Sequence, residues 1–389
     1  VINKMHSHSI HQHQESIAKV LARGRVKRRS IRSLSWNLLL SFVVVAIGLR
    51  NAVLVEFLPF NDELSLHDLV LAIRQINQGF SHVAVLLLRG CTFIIDVQAV
   101  ASSIEVFLSV ENSKDHGFVL IDVGVNRLTK IFGPTLAREE VYQELKEVLL
   151  CLKDLLLGNV NSTVFDFDTA FALNTCFGCL GPVGFAGWLL GYPFIYCCPT
   201  TGMSQDDDAG VLSCQVKPEL PNSQGEGQNC LGGVPLAVLS VDISVDYSSC
   251  NQKGRSQDDP DKSGAMQQDL VDLFHEVLSQ RGLVGQRPGG KSMNTIPLTS
   301  FSVPLAFLAA AEGVGGDEGL VEAEKSMMAS SAVEQELVDE QQHFDVNQSQ
   351  CILQRYEELM QRKVEDISAP FLVKVKIGCN HLTLQQVAL

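Results

Sequence analysis

The sequence predicts an α/β protein, with a mixed β-sheet flanked by helices in a single domain that carries long low-complexity insertions. Three observations lead there. From residue 34 onward, stretches with strand character alternate with stretches of helical apolar spacing. Two of the strands, 82–88 and 92–97, are separated only by Arg89-Gly90-Cys91, which makes a hairpin and therefore a mixed sheet. Apolar residues are 46% and charged residues 19% of 389, which is enough to bury a sizeable core.

Residues 1–32 are polar, His-rich and then basic, and read as a disordered tail. The "HSHSIHQH" run in it (His6, His8, His11, His13) reads as low complexity more than as a metal site. The domain spans 33–389. It opens with a helix over 34–48, whose apolar run Leu38–Leu49 follows a basic flank and so has the outline of a signal sequence. The run falls short of the roughly 20 residues that cross a bilayer, and "AVLVEF" follows at once without a small-residue cleavage pattern. A buried first helix is the better reading, with no membrane span.

Next come a strand at 52–58 and an amphipathic helix at 64–78 marked by Leu66, Leu69, Val70, Ile73 and Ile76. The hairpin follows, then a helix at 99–109 and a strand at 117–123. Val141, Leu145, Val148, Leu149, Leu152 and Leu156 define a strong helix over 138–157. A helix over 167–180 leads to the strand "GYPFIYCC". Later strands are "VPLAVLSVDISV", "TIPLTSFSVP" and "PFLVKVKI"; later helices are 268–281 and 350–364, the latter with Ile352, Leu353, Tyr356, Leu359 and Met360 on one face. Segments near 200–230, 248–266 and 309–332 are rich in small, acidic or polar residues and read as solvated insertions, because apolar strands resume after each.

The net charge of −14 is unevenly placed: residues 1–32 carry eight Lys/Arg and one Glu, a net +7, which leaves −21 for the rest. A body that acidic repels phosphate backbones, so nucleic acid is not the expected partner of the core. Eleven scattered cysteines, an odd number, suit reduced thiols and a cytoplasmic location better than a secreted disulfide framework.

Three constellations could carry chemistry. Gly285, Gly290, Lys291 and Ser292 in "GQRPGGKS" match the P-loop spacing, but a phosphate loop lies between a strand and a following helix, whereas here a helix precedes and a strand follows. Cys176, Cys179, Cys197 and Cys198 could supply four thiolates. Adjacent cysteines on a strand face opposite ways, however, and a redox Cys-x-x-Cys needs a helix N-terminus, whereas this one falls within or at the end of a helix. Buried small apolar cysteine is the plainer reading. Acidic residues punctuate the strands at Glu56, Asp96, Asp122, Asp242 and Asp246. Gathered at one sheet edge, Asp96, Asp122 and Asp242 could hold Mg²⁺; singly, such residues cap turns.

Several stretches occur in one order: "NLLLSFVVVAIGLRNAVLVEF" (37–57), "LLGYPFIY" (189–196), "NCLGGVPL" (229–236), "SFSVP" (300–304) and "LTLQQVAL" (382–389). In this the chain resembles an uncharacterised eukaryotic family whose human member is chromosome 1 open reading frame 74. Members of that family are shorter, which fits the insertions and makes "GPVGFAGW" (181–188) read as one more. The resemblance implies no known activity, cofactor or catalytic residue. The sequence therefore points to a non-enzymatic interaction or scaffold protein with an unidentified protein partner and no cofactor. The alternative is a Mg²⁺-dependent enzyme acting on a phosphorylated or nucleotide substrate through the strand-end carboxylates.

Overall fold

The computed structural model describes residues 15–22, 28–55, 58, 63–110, 116–123, 135–159, 162–172, 178–197, 235–245, 262–280, 294–304, 346–367 and 372–383. Residues 15–21, assigned from sequence to the polar tail, form helix α1. Ile17, Val20 and Leu21 recur at helical spacing and are buried in the same core as the next helix. Helix α2 (Arg28–Ala46) starts before the expected 34 and buries Leu38, Leu39, Phe42, Val43 and Val45. It closes at Gly48, whose φ of 80° only glycine adopts without strain. No helix among the described residues is long and apolar enough to cross a membrane.

Strand β1 (Ala52–Val55) and helix α3 (Glu63–Arg74) follow. The hairpin forms as read: β2 (Val83–Leu88) and β3 (Cys91–Asp96) pair antiparallel around a two-residue turn. Both turn residues, Arg89 (φ 49°) and Gly90 (φ 74°), are left-handed, which is the twist that a tight hairpin needs. The Arg89 N–H donates to Asp168 Oδ2 at 2.6 Å. Then come α4 (Val97–Ser109), β4 (Val119–Asp122), β5 (Thr135–Leu136), α5 (Glu139–Gly158), β6 (Val164–Asp166) and α6 (Phe167–Ala172). All six apolar positions predicted on α5 are buried.

The strands divide into three sheets. The first, β1-β3-β2-β6, is mixed, with β2 and β6 parallel. The second places β4 between β5 and a parallel neighbour, β7 (Phe194–Cys197). The third is antiparallel, with β8 (Pro235–Val245) between β9 (Asn294–Pro304) and β10 (Leu372–Thr383). Strand β9 forms one edge of that sheet, and its Pro297 stands opposite Asp242 where the register shifts. Helix α8 (Lys262–Gln280) takes in 262–266, the end of a stretch expected to be an insertion, and helix α9 (Val346–Asp366) precedes β10. The rest of the expected insertions lies outside the described residues.

Two cores lie on opposite faces of the central strands. Val83, Val85 and Ile94 join one core with residues of α1, α2, α3, α8 and α9. Their neighbours Ala84, Leu86, Leu88, Phe93 and Ile95 join a second with α4, α5 and residues near 180–189. Strands buried on both faces read as unbroken apolar runs, and "VAVLLL" and "TFIID" are such runs.

One element differs from expectation. Instead of a single helix over 167–180, α6 ends at Ala172 and a separate helix, α7 (Gly181–Leu189), begins after Leu180. The stretch expected to be an extra insertion is therefore part of the core: Phe185 is fully buried and Leu189 nearly so. Two glycines let α7 lie close on β7. A Cβ on Gly184 would stand 2.8 Å from Leu180 Cδ1 and 3.3 Å from the Tyr196 carbonyl, and one on Gly187 would stand 3.1 Å from Ile195 Cγ2. If α7 is integral, Phe185→Ala should lower unfolding free energy by about 3–5 kcal/mol. Equilibrium denaturation would measure this, and a loss below about 1 kcal/mol would mark α7 as dispensable.

Candidate functional site

Beyond α2, the chain turns through Arg50 and Asn51 into β1, and these two polar residues organise a cluster between buried elements. The Asn51 carbonyl accepts the Asp96 N–H at 2.9 Å, joining the start of β1 to the end of β3. Its side-chain amide donates to Ser103 Oγ on α4 at 2.8 Å, and its side-chain oxygen accepts Lys363 Nζ from α9 at 2.9 Å. Arg50 donates through Nη2 to the Leu190 carbonyl just past α7 (3.0 Å), and its guanidinium lies 6.0 Å from the centre of the Tyr192 ring. Tyr192 packs on Phe301, which meets Tyr356 of α9 edge-on.

Burial sets the proton affinities here. Lys363 is partly buried, and desolvation, reinforced by the neighbouring Arg50 charge and only partly offset by Asp96, pulls its ammonium down to about 8. Burial pushes the Tyr356 hydroxyl up to about 12, with Arg50 working against the rise. Sequence reasoning missed Lys363. The signal was present: it lies three residues beyond Met360 and seven beyond Tyr356, on the stripe that α9 buries. Leu359, read as part of that stripe, is instead exposed.

The strand-end carboxylates fall on three different sheets. Asp96 ends β3 in the first and is buried. Its Oδ1 accepts the Gln98 and Ala99 N–H groups, both at 2.9 Å, which caps α4, and its Oδ2 lies 3.3 Å from His82 Nε2. Asp122 ends β4 in the second sheet, paired with Thr135 and Cys197. Asp242 is within β8 in the third, between Lys376 and Pro297. Among the described residues, no three His, Cys, Asp or Glu side chains gather closely enough to hold a metal ion. Glu56, Asp246 and the P-loop-like Gly285, Gly290, Lys291 and Ser292 lie outside the described residues; the elements flanking the latter are helix α8 before and strand β9 after.

Cys176 and Cys198 are also outside them. Cys179 is not within a helix, as expected, but in the turn just before α7. There the Glu144 carboxylate of α5 accepts the N–H groups of Cys179 (2.9 Å) and Leu180 (3.2 Å). An anion thus already stands beside Cys179, which disfavours a thiolate there. Burial, followed by Glu144 and Asp122, pushes the Cys179 thiol up, opposite to what a redox cysteine needs. Burial likewise raises Glu144, against the pull of its three backbone donors. Cys197 is buried in the second core.

Residues 19–254 match a family described only as a domain of unknown function, DUF4504. The chain belongs to this family. The DUF4504 match includes Arg50, Asn51, His82 and Asp96 but stops short of α8, β9, α9 and β10, so Lys363 reaches the family's region from beyond it. No curated protein matches the chain, and no solved structure does.

The Lys363 shift has a testable sign. Its folded value lies below its ordinary 10.5, so between about 8 and 10.5 the unfolded chain binds more protons and stability rises with pH. The Cys179 thiol, raised above its ordinary 9.0, opposes this from about 9 upward, and Tyr142 and Tyr356, both raised by burial to about 12, from about 10. Chemical denaturation from pH 7 to 10 should show the rise in the wild type and its loss in Lys363→Met; parallel curves for the two proteins would refute it.

Proposed function

We propose that the chain is a non-enzymatic interaction or scaffold protein, cytoplasmic, and of the family whose human member is chromosome 1 open reading frame 74. The order of the shared stretches supports the last point. The observation that favours binding over Mg²⁺-dependent catalysis is the use made of Asp96: its oxygens serve the first turn of α4 and His82, while Asp122 and Asp242 stand on other sheets. A Mg²⁺ site needs carboxylates that converge with open positions for water and substrate phosphate. Asp96 instead holds local structure, which is the commoner use of strand-end aspartate.

Two measurements test the reading. Melting of the full chain under reducing conditions should be unchanged by Mg²⁺ or Mn²⁺, since binding at a hundred times Kd would add about 2.7 kcal/mol. A Mg²⁺-dependent rise that Asp122→Asn abolishes would restore the enzyme. In addition, the chain should elute from cell extract in a larger assembly than the purified protein forms; elution at the same size in both would sink the interaction reading.

A further inference from the structure

We propose that Lys363 and Arg50 form a binding site for a small oxyanion, a phosphate or carboxylate group, at the junction of α9, β1 and α7. From the far end of the chain, Lys363 reaches the side chain of Asn51, the residue next to Arg50, and the Arg50 charge acts on it. An ammonium has three donors, yet among the described residues Lys363 makes one hydrogen bond, to the neutral Asn51 oxygen at 2.9 Å. Arg50 spends Nη2 on the Leu190 carbonyl and, among the described residues, makes no other side-chain hydrogen bond.

The local charge is not balanced. Asp96 is the carboxylate that acts on Lys363, but its oxygens already serve Gln98, Ala99 and His82, and no ion pair joins it to Lys363. Among the described residues, Tyr192 and Tyr356 also pack here, and burial holds the Tyr356 hydroxyl neutral. Among the described residues, two cations beside one committed carboxylate leave a local positive excess in a chain of net charge −14. Both residues are half-buried and so keep some contact with solvent. An anion would take the free ammonium donors and the guanidinium edge, forming charge-assisted hydrogen bonds that the protein alone does not supply.

The test is a thermal melt and calorimetric titration of the full chain with inorganic phosphate and with succinate, against chloride at equal ionic strength. Phosphate stabilises many proteins by exclusion from their surface, so the readout is the difference between wild type and Lys363→Met. Wild type should bind at least one of the two anions about tenfold or more tightly than Lys363→Met, with Lys363→Arg restoring most of the binding. A response to phosphate alone assigns a phosphoryl ligand, and to succinate alone a carboxylate ligand. The affinity should also fall as pH rises through about 8, as Lys363 loses its proton. No binding of either anion, or equal binding by wild type and Lys363→Met, would overturn the site.

Discussion

One asparagine side chain holds together elements that are far apart in sequence. Asn51 bonds α4 through its amide and α9 through its oxygen, while its backbone carbonyl fixes the end of β3. Its partners span residues 96 to 363, so most of the chain must be in place before this side chain is satisfied. Asn51 is half-buried, and an amide shielded from water without partners is costly, so the position is constrained by all three elements at once. The entry into β1, the cap on α4 and the seat of α9 are thus aspects of one polar knot set between two apolar cores.

The two cores explain why the knot sits where it does. The central strands are covered on both faces, so polar groups can gather only at strand ends, where helices begin and stop. Asp96 ends β3 and starts α4 without an intervening loop, and this economy turns a strand-end carboxylate into a helix cap. Glu144 plays a related part on the other side, crossing from α5 to hold the turn that launches α7.

Much of this organisation was legible in the sequence. The hairpin, the stripe of α5 and the buried run of α2 all follow from periodicity, because burial imposes it directly. Where the reading failed near the N-terminus, composition had outweighed spacing. Ile17, Val20 and Leu21 make a helical stripe, but their basic and His-rich surroundings concealed it. The stretch 181–188 read as an insertion because members of the resembling family are shorter, whereas its Gly184 and Gly187 make close contact with β7. The site was less legible. The aspartates were conspicuous residues in conspicuous places, yet which carboxylates converge depends on how strands are shared among sheets. Lys363 stood in an apolar stripe, and only the fold shows what it faces.

The edge strand β9 has a consequence for how the molecule meets its own kind. An 11-residue strand that pairs on one side only among the described residues is a template on which another chain could extend the sheet. Pro297 lacks the amide hydrogen that such an extension would use, and it sits at the bulge where β8 slips against β9. A second proline, Pro304, ends the strand. The β9 side of the sheet therefore carries its own stop, one that makes backbone pairing with another chain along that edge harder.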